Sequence, residues 1–245
     1  MSSVVSAEPT RTPDPGSMSL TGHLTELRNR LIWSILAIGV GATVGFAFGP
    51  QIIAVLKAPI PANIPLITTE IGSAFSIRLQ VALVAGVILA MPVLLWHVWR
   101  FIAPGLTPSE RRAILPWIPL ALAFFTIGVT IAYIIMPFAA QFLFSFVTPD
   151  LTPLLDIRSY FDFLTTLFLA FGILMEFPIL LVGLSRVGIV TSERLTRARR
   201  MIILIIAIFS AVATPGGDLV SPTVLGVTLY VLFEGTVVFI RRTGR

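Results

Sequence analysis

The sequence predicts an all-α, polytopic membrane protein with six transmembrane helices, the last two of them short. Three observations predict it. Hydrophobic residues make up 56% of the 245-residue chain and charged residues only 12%, about half the charged share of a soluble domain. Mean hydropathy is +0.96, which is more apolar surface than one water-soluble core can bury. The apolar residues are also gathered into runs, four of which reach the roughly 20 residues a helix needs to cross a bilayer. This composition argues against a soluble enzyme, a disordered chain and a nucleic-acid-binding domain.

Each element follows from local pattern. Residues 1–18 are polar, with Pro9, Pro13, Pro15 and Gly16, and are expected to form a flexible tail. No apolar stretch follows a basic cluster within the first twenty residues, so no cleaved signal peptide is expected. A membrane domain is expected over 19–242 and a short tail over 243–245. Leu20, Leu24, Leu27 and Leu31 recur at helical spacing, with Glu26, Arg28 and Arg30 between them. That pattern predicts a short amphipathic helix at the membrane surface, leading into a first span at about 31–48. A loop with Pro50, Pro59, Pro61 and Pro65 follows. The second span is expected at about 75–96, kinked at Pro92. The third is expected at about 115–136, with Pro116 and Pro119 tolerated near its start. The fourth is expected at about 161–184.

The last two apolar runs, 201–213 and 224–240, are shorter than a full span. They flank a tight turn containing Thr214, Pro215, Gly216, Gly217, Asp218 and Pro222. They either cross a locally thinned bilayer or form a re-entrant hairpin. Their combined length favours two crossings. With six crossings, every Lys and Arg except Lys57, Arg78 and Arg158 falls on one side. The positive-inside rule makes that side cytoplasmic, with both termini on it. Trp33, Trp96, Trp99 and Trp117 fall at the same side, where an aromatic belt is expected. The net charge of +5 is then a mark of topology rather than of a polyanionic partner. Arg199 and Arg200 belong to that pattern too.

Few residues offer chemistry. There is no cysteine and there are only two histidines, His23 and His97, so no thiolate or histidine-rich metal site is expected. Phosphate-loop, H-E-x-x-H and G-x-S-x-G motifs are absent from the sequence. No cofactor is expected. What stands out is a set of carboxylates. Glu176 lies inside the fourth apolar run and Glu234 midway in the sixth, where an ionisable group is costly and is read as functional by default. A solute transporter would use the two as a relay, but no internal repeat supports that class. An intramembrane enzyme would need a nucleophile and base within the spans, and none is evident. Glu26 and Glu110 have plainer readings. Glu26 stands one turn before Arg30, a pair contributing about 0.3–0.5 kcal/mol. Glu110 favours a helix N-terminus through the macrodipole.

Taken together, five segments change the reading of those carboxylates. They are His23-Leu24-Thr25-Glu26-Leu27-Arg28-Asn29-Arg30-Leu31, the 101–112 stretch from Phe101 through Glu110 to Arg112, the 171–178 stretch around Glu176, Ala213-Thr214-Pro215 with Asp218, and Leu232-Phe233-Glu234. In this order the chain resembles the TatC family, the multispanning subunit of the twin-arginine protein translocase, from about Ser19 to Arg242. The resemblance implies a glove-shaped six-helix receptor, not an enzyme, in the cytoplasmic (inner) membrane. It implies binding of twin-arginine signal peptides on folded passengers, export driven by the proton-motive force, and no nucleic-acid partner. Assembly with TatA- and TatB-type single-span subunits and with further copies of itself is implied as well. It assigns Glu26, Arg28, Phe101, Glu110 and Glu176 to signal-peptide binding, and Asp218 and Glu234 to contact with the small subunits. The Thr214-to-Asp218 turn is one residue longer than the family pattern. Pro222 replaces a glutamine often found there, and Ala74 precedes Phe75 where a proline is usual.

Overall fold

The computed structural model describes residues 20–60, 64–146, 154–186, 188–214 and 218–243. The expected N-terminal tail over 1–18, and Pro61, Pro215, Gly216 and Gly217 of the two expected loops, lie outside the described residues. The first helix, α1 (Leu20–Ala47), is one continuous rod. The separate surface helix expected before the first span is therefore corrected. No proline interrupts 20–47, so the amphipathic start propagates directly into the apolar stretch. The proline-rich loop also contains a helix, α2 (Gly49–Lys57), with Pro50 in its first turn, where a missing N–H is tolerated.

The second span is α3 (Ser73–Ile102), which continues through Pro92. A 3₁₀ turn at Ala103–Gly105 leads to the short helix α4 (Pro108–Ile114) and then α5 (Trp117–Phe144). The third span thus runs further than expected, past Pro137. The fourth span is broken. Helix α6 (Ile157–Leu174) stops and α7 (Phe177–Arg186) begins two residues later, where a single helix was expected. Pro178 has no N–H for the Leu174 carbonyl and its ring crowds that carbonyl. The Glu176 N–H instead bonds the Ile173 carbonyl at 3.1 Å, a tightened last turn. After α8 (Ser192–Arg197) come α9 (Arg199–Ala213) and α10 (Val220–Arg242).

Among the described residues, five helical stretches are long and apolar enough to cross a membrane, with α6 and α7 counted as one. With 15 residues, α9 is about 22 Å long, short of a hydrocarbon core of about 30 Å. The last helix is not short. It has 23 residues, because Pro222 sits in its first turn and the helix continues through Arg242.

Successive long helices double back on one another, so the bundle has two ends. One, the basic end, gathers the start of α1, the end of α3, α4, the end of α7, α8, the start of α9 and the end of α10. The other, the far end, carries α2 and the connections before α3 and α6. Helices α1 and α3 cross at small residues. A Cβ added at Gly41 would stand 2.8 Å from the Gly86 carbonyl oxygen, and one added at Gly86 would stand 2.7 Å from the Ala42 nitrogen. Lipid is as apolar as a side chain, so close backbone contact rather than water exclusion holds such a pair together. The core is centred on α6, where Phe161, Leu164, Leu167 and Phe171 are fully buried in one cluster with Ala132 and Ala139 of α5 and Leu225 and Phe233 of α10. At the far end, strands β1 (Leu66–Ile67) and β2 (Leu155–Asp156) pair in parallel. Arg158 there pairs with Glu70, and the Tyr160 hydroxyl donates to the Leu56 carbonyl at 2.8 Å.

The tryptophans only partly form a belt. Trp33 and Trp96 are exposed, but Trp99 is buried and Trp117 packs edge-on against Phe239 at 5.0 Å.

Candidate functional site

The basic end brings together two segments that are far apart in the chain. The His23 ring stacks on Phe101, with centroids 4.3 Å apart and planes at 17°. Glu26 lies one turn along α1 from His23, so its segment is fixed against the end of α3. Two residues before Phe101, the buried Trp99 receives the Arg111 guanidinium over its ring at 5.4 Å. That contact folds α4, which carries Glu110, back onto the same end. Arg28 is exposed and Phe101 partly so.

Both carboxylates have local partners. Glu26 pairs with Arg30 one turn on, with side chains 17% and 16% exposed. Glu110 completes a capping box: Thr107 N–H and Oγ1 donate to its Oε2 at 2.9 and 2.8 Å, and the Thr107 hydroxyl caps the Glu110 N–H. The macrodipole reading of Glu110 is thus realised on α4 rather than on the third span, because Pro108 and Thr107 start a helix of their own.

The other predicted residues lie elsewhere. Glu176 sits at the break between α6 and α7, half-buried, and its Oε1 is shielded with no hydrogen-bond partner. Glu234 is not isolated midway in an apolar run. It lies toward the basic end of α10 and accepts from Arg199 at 2.7 Å. Asp218 is buried at the far end of the α9–α10 hairpin and accepts the Ser221 N–H at 2.6 Å, holding the start of α10 as a capping carboxylate does. The structure therefore unites the segments of Glu26, Arg28, Phe101 and Glu110, and leaves Glu176, Asp218 and Glu234 at three separate places.

Sequence reasoning passed over His23, Trp99 and Arg111, whose contacts join segments that no local pattern connects. Arg199 was read only as a topological charge. A cavity of about 430 Å³ lies between α2, α3, α5 and α6, and none of the predicted site residues lines it. Among the described residues there is no cluster of three or more His, Asp or Glu side chains that could hold a metal ion. What the basic end offers instead is two carboxylates on separate segments, Glu26 on α1 and Glu110 on α4, at the same end as the rings of His23, Trp99 and Phe101.

Comparison with known proteins gives the family. The family model for the Sec-independent protein translocase protein TatC matches residues 22–227. The TatC protein of Deinococcus radiodurans is 37% identical over 237 residues, covering 94% of this chain and 88% of that one. The protein of the same name from Aquifex aeolicus is 36% identical over 223 residues, covering 89% and 92%. Two crystal structures of the twin-arginine translocase receptor TatC superpose with TM-scores of 0.79 and 0.78 at 34% identity. The first, in DDM, covers 89% of this chain and 99% of its own. The sequence motifs, the multi-helix membrane fold and these relatives agree: the chain belongs to the TatC family of Sec-independent protein translocase proteins.

Proposed function

We propose that the basic end of this translocase receptor is the docking site for the arginine pair of a twin-arginine signal peptide. The stack of His23 on Phe101 carries the proposal, because it sets the Glu26 segment beside the end of α3 and α4. Guanidinium chemistry fits the two carboxylates. Arg keeps its charge and binds a carboxylate through two parallel N–H donors, whereas Lys offers a compact point charge. Phe101 and the aliphatic stems of the exposed arginines supply the apolar contact around the pair, with Arg28 at the margin of the surface.

The basic end faces the cytoplasm in this reading, with both termini there, in a cytoplasmic membrane crossed six times. The one-sided distribution of Lys and Arg supports that orientation. Glu176 lies along the path of the signal peptide's apolar segment, where a broken helix offers polar groups inside the membrane. The short α9, with its exposed Met201, Leu204, Ile208 and Val212, and Glu234 beside it, form the docking side for single-span TatA- and TatB-type subunits. Asp218 supports that side from beneath by holding the start of α10. Copies of the chain assemble with one another in the working complex.

The test is Glu110→Gln. It keeps a side-chain acceptor for Thr107 and removes the charge. Export of a folded twin-arginine reporter should fall at least about tenfold, the loss of one charge-assisted bond, with protein level and unfolding temperature near wild type. Undiminished export would remove Glu110 from the docking site.

A further inference from the structure

We propose that Arg30 is a displaceable internal occupant of the Glu26 site, held where the guanidinium of an arginine-bearing peptide binds. The inference rests on Glu26 being a recognition carboxylate. Arg30 donates from both Nε and a terminal nitrogen to a single oxygen of Glu26, Oε1. Both side chains are more than four-fifths buried. The second oxygen, Oε2, is shielded from solvent and has no hydrogen-bond partner. Arg30 therefore occupies one oxygen of the carboxylate, and the internal pair leaves the other unused.

Those two facts give the exchange a direction. A peptide guanidinium docking as a fork would satisfy Oε1 and Oε2 together, including the buried oxygen that Arg30 leaves unpaired. An ammonium, with a single charged centre, recovers less. Arg30 can leave easily, because it stands one turn from Glu26 on the same helix. Its departure needs rotation about its own side-chain bonds and no backbone movement.

The experiment measures binding of a fluorescent arginine-pair peptide to the full chain in lipid nanodiscs, by anisotropy. Arg30→Gln should tighten binding by about two- to fivefold, the factor corresponding to loss of an ion pair of this kind. Arg30→Lys keeps the charge but loses the fork, so it should fall between wild type and Arg30→Gln. Unchanged or weaker binding by Arg30→Gln overturns the proposal. Wild-type affinity in Arg30→Lys also overturns it, since Arg30 would then act by charge repulsion and not by occupancy. Glu26→Gln separates the two levels of the argument. Weakened binding there keeps the recognition reading whatever Arg30 does, and wild-type binding removes it.

Discussion

The two ends of the bundle are held by different kinds of interaction. At the far end, local caps such as Asp156 on Ser159 and Asp218 on Ser221 are accompanied by several polar contacts between residues distant in the chain. Arg158 meets Glu70, Tyr160 meets the Leu56 carbonyl, and Arg78 donates to the Phe46 carbonyl at 3.1 Å while lying over the Phe46 ring. Slightly deeper, Gln80 donates to Asp162 and Thr165 at 2.9 and 2.7 Å. At the basic end, most polar contacts span a single turn: Arg30 with Glu26, Thr107 with Glu110, Thr191 with the Arg194 N–H. Longer-range contacts there include the His23–Phe101 stack, Arg111 over Trp99, Trp117 against Phe239 and the Arg199–Glu234 pair. A contact between distant segments fixes how helices sit, and it breaks only when they part. A contact within one turn can change partners without disturbing packing. In the docking reading proposed above, the far end holds the shape of the bundle and the basic end exchanges ligands.

Three substitutions sharpen or break this contrast. The largest effect is expected from Gly86→Leu, which serves both ends by holding α1 against α3. Its side chain would meet backbone atoms of Ala42 and Ile38 rather than a flexible tip. Overpacking at such a site costs about 3 kcal/mol or more. The variant should fail to purify as a monodisperse protein or unfold well below wild type. An unchanged unfolding temperature would show that the crossing does not control the fold.

A smaller effect is expected from Tyr160→Phe. It leaves the Leu56 carbonyl without its buried donor, a loss of about 1–2 kcal/mol. Thermal unfolding in detergent should shift down, while affinity for an arginine-pair peptide at the opposite end stays at the wild-type value. A parallel loss of affinity would show that the two ends are coupled. The smallest effect belongs to Arg158→Gln. Its partner Glu70 is 59% exposed, so the pair contributes less than about 1 kcal/mol and is screened by salt. The shift in unfolding temperature should be slight and vanish at high ionic strength. A large, salt-insensitive shift would mean that the far end depends on this one link.

Much of the candidate site was legible because its polar contacts are local. The one-turn spacing of Glu26 and Arg30 anticipates their pair, whereas the capping box of Thr107 and Glu110 emerged only with α4, since by sequence alone Glu110 reads as a macrodipole charge on the third span. The helix break at Glu176 was not legible, although Pro178 was in view. Pro92 and Pro137 lie within unbroken helices, so a proline alone does not decide. Whether the freed carbonyls find other partners does, and that depends on neighbouring helices. The partner of Glu234 was not legible for a related reason. Arg199 lies 35 residues away in the chain and meets it only because α9 packs beside α10.

By itself the sequence determined the membrane class, the order of the apolar helices and the side on which basic residues collect. Those properties follow from composition and short-range periodicity, which need no knowledge of contacts. It also determined the local partner of Glu26, one helical turn away. Only the tertiary structure decided that His23 meets Phe101, that Arg111 lies over Trp99, and that Glu234 is neutralised by Arg199. These pairings depend on how helices cross. The crossing of α1 and α3, at least, is set by the few positions, Gly41, Gly45 and Gly86, where the absence of a side chain lets two backbones touch.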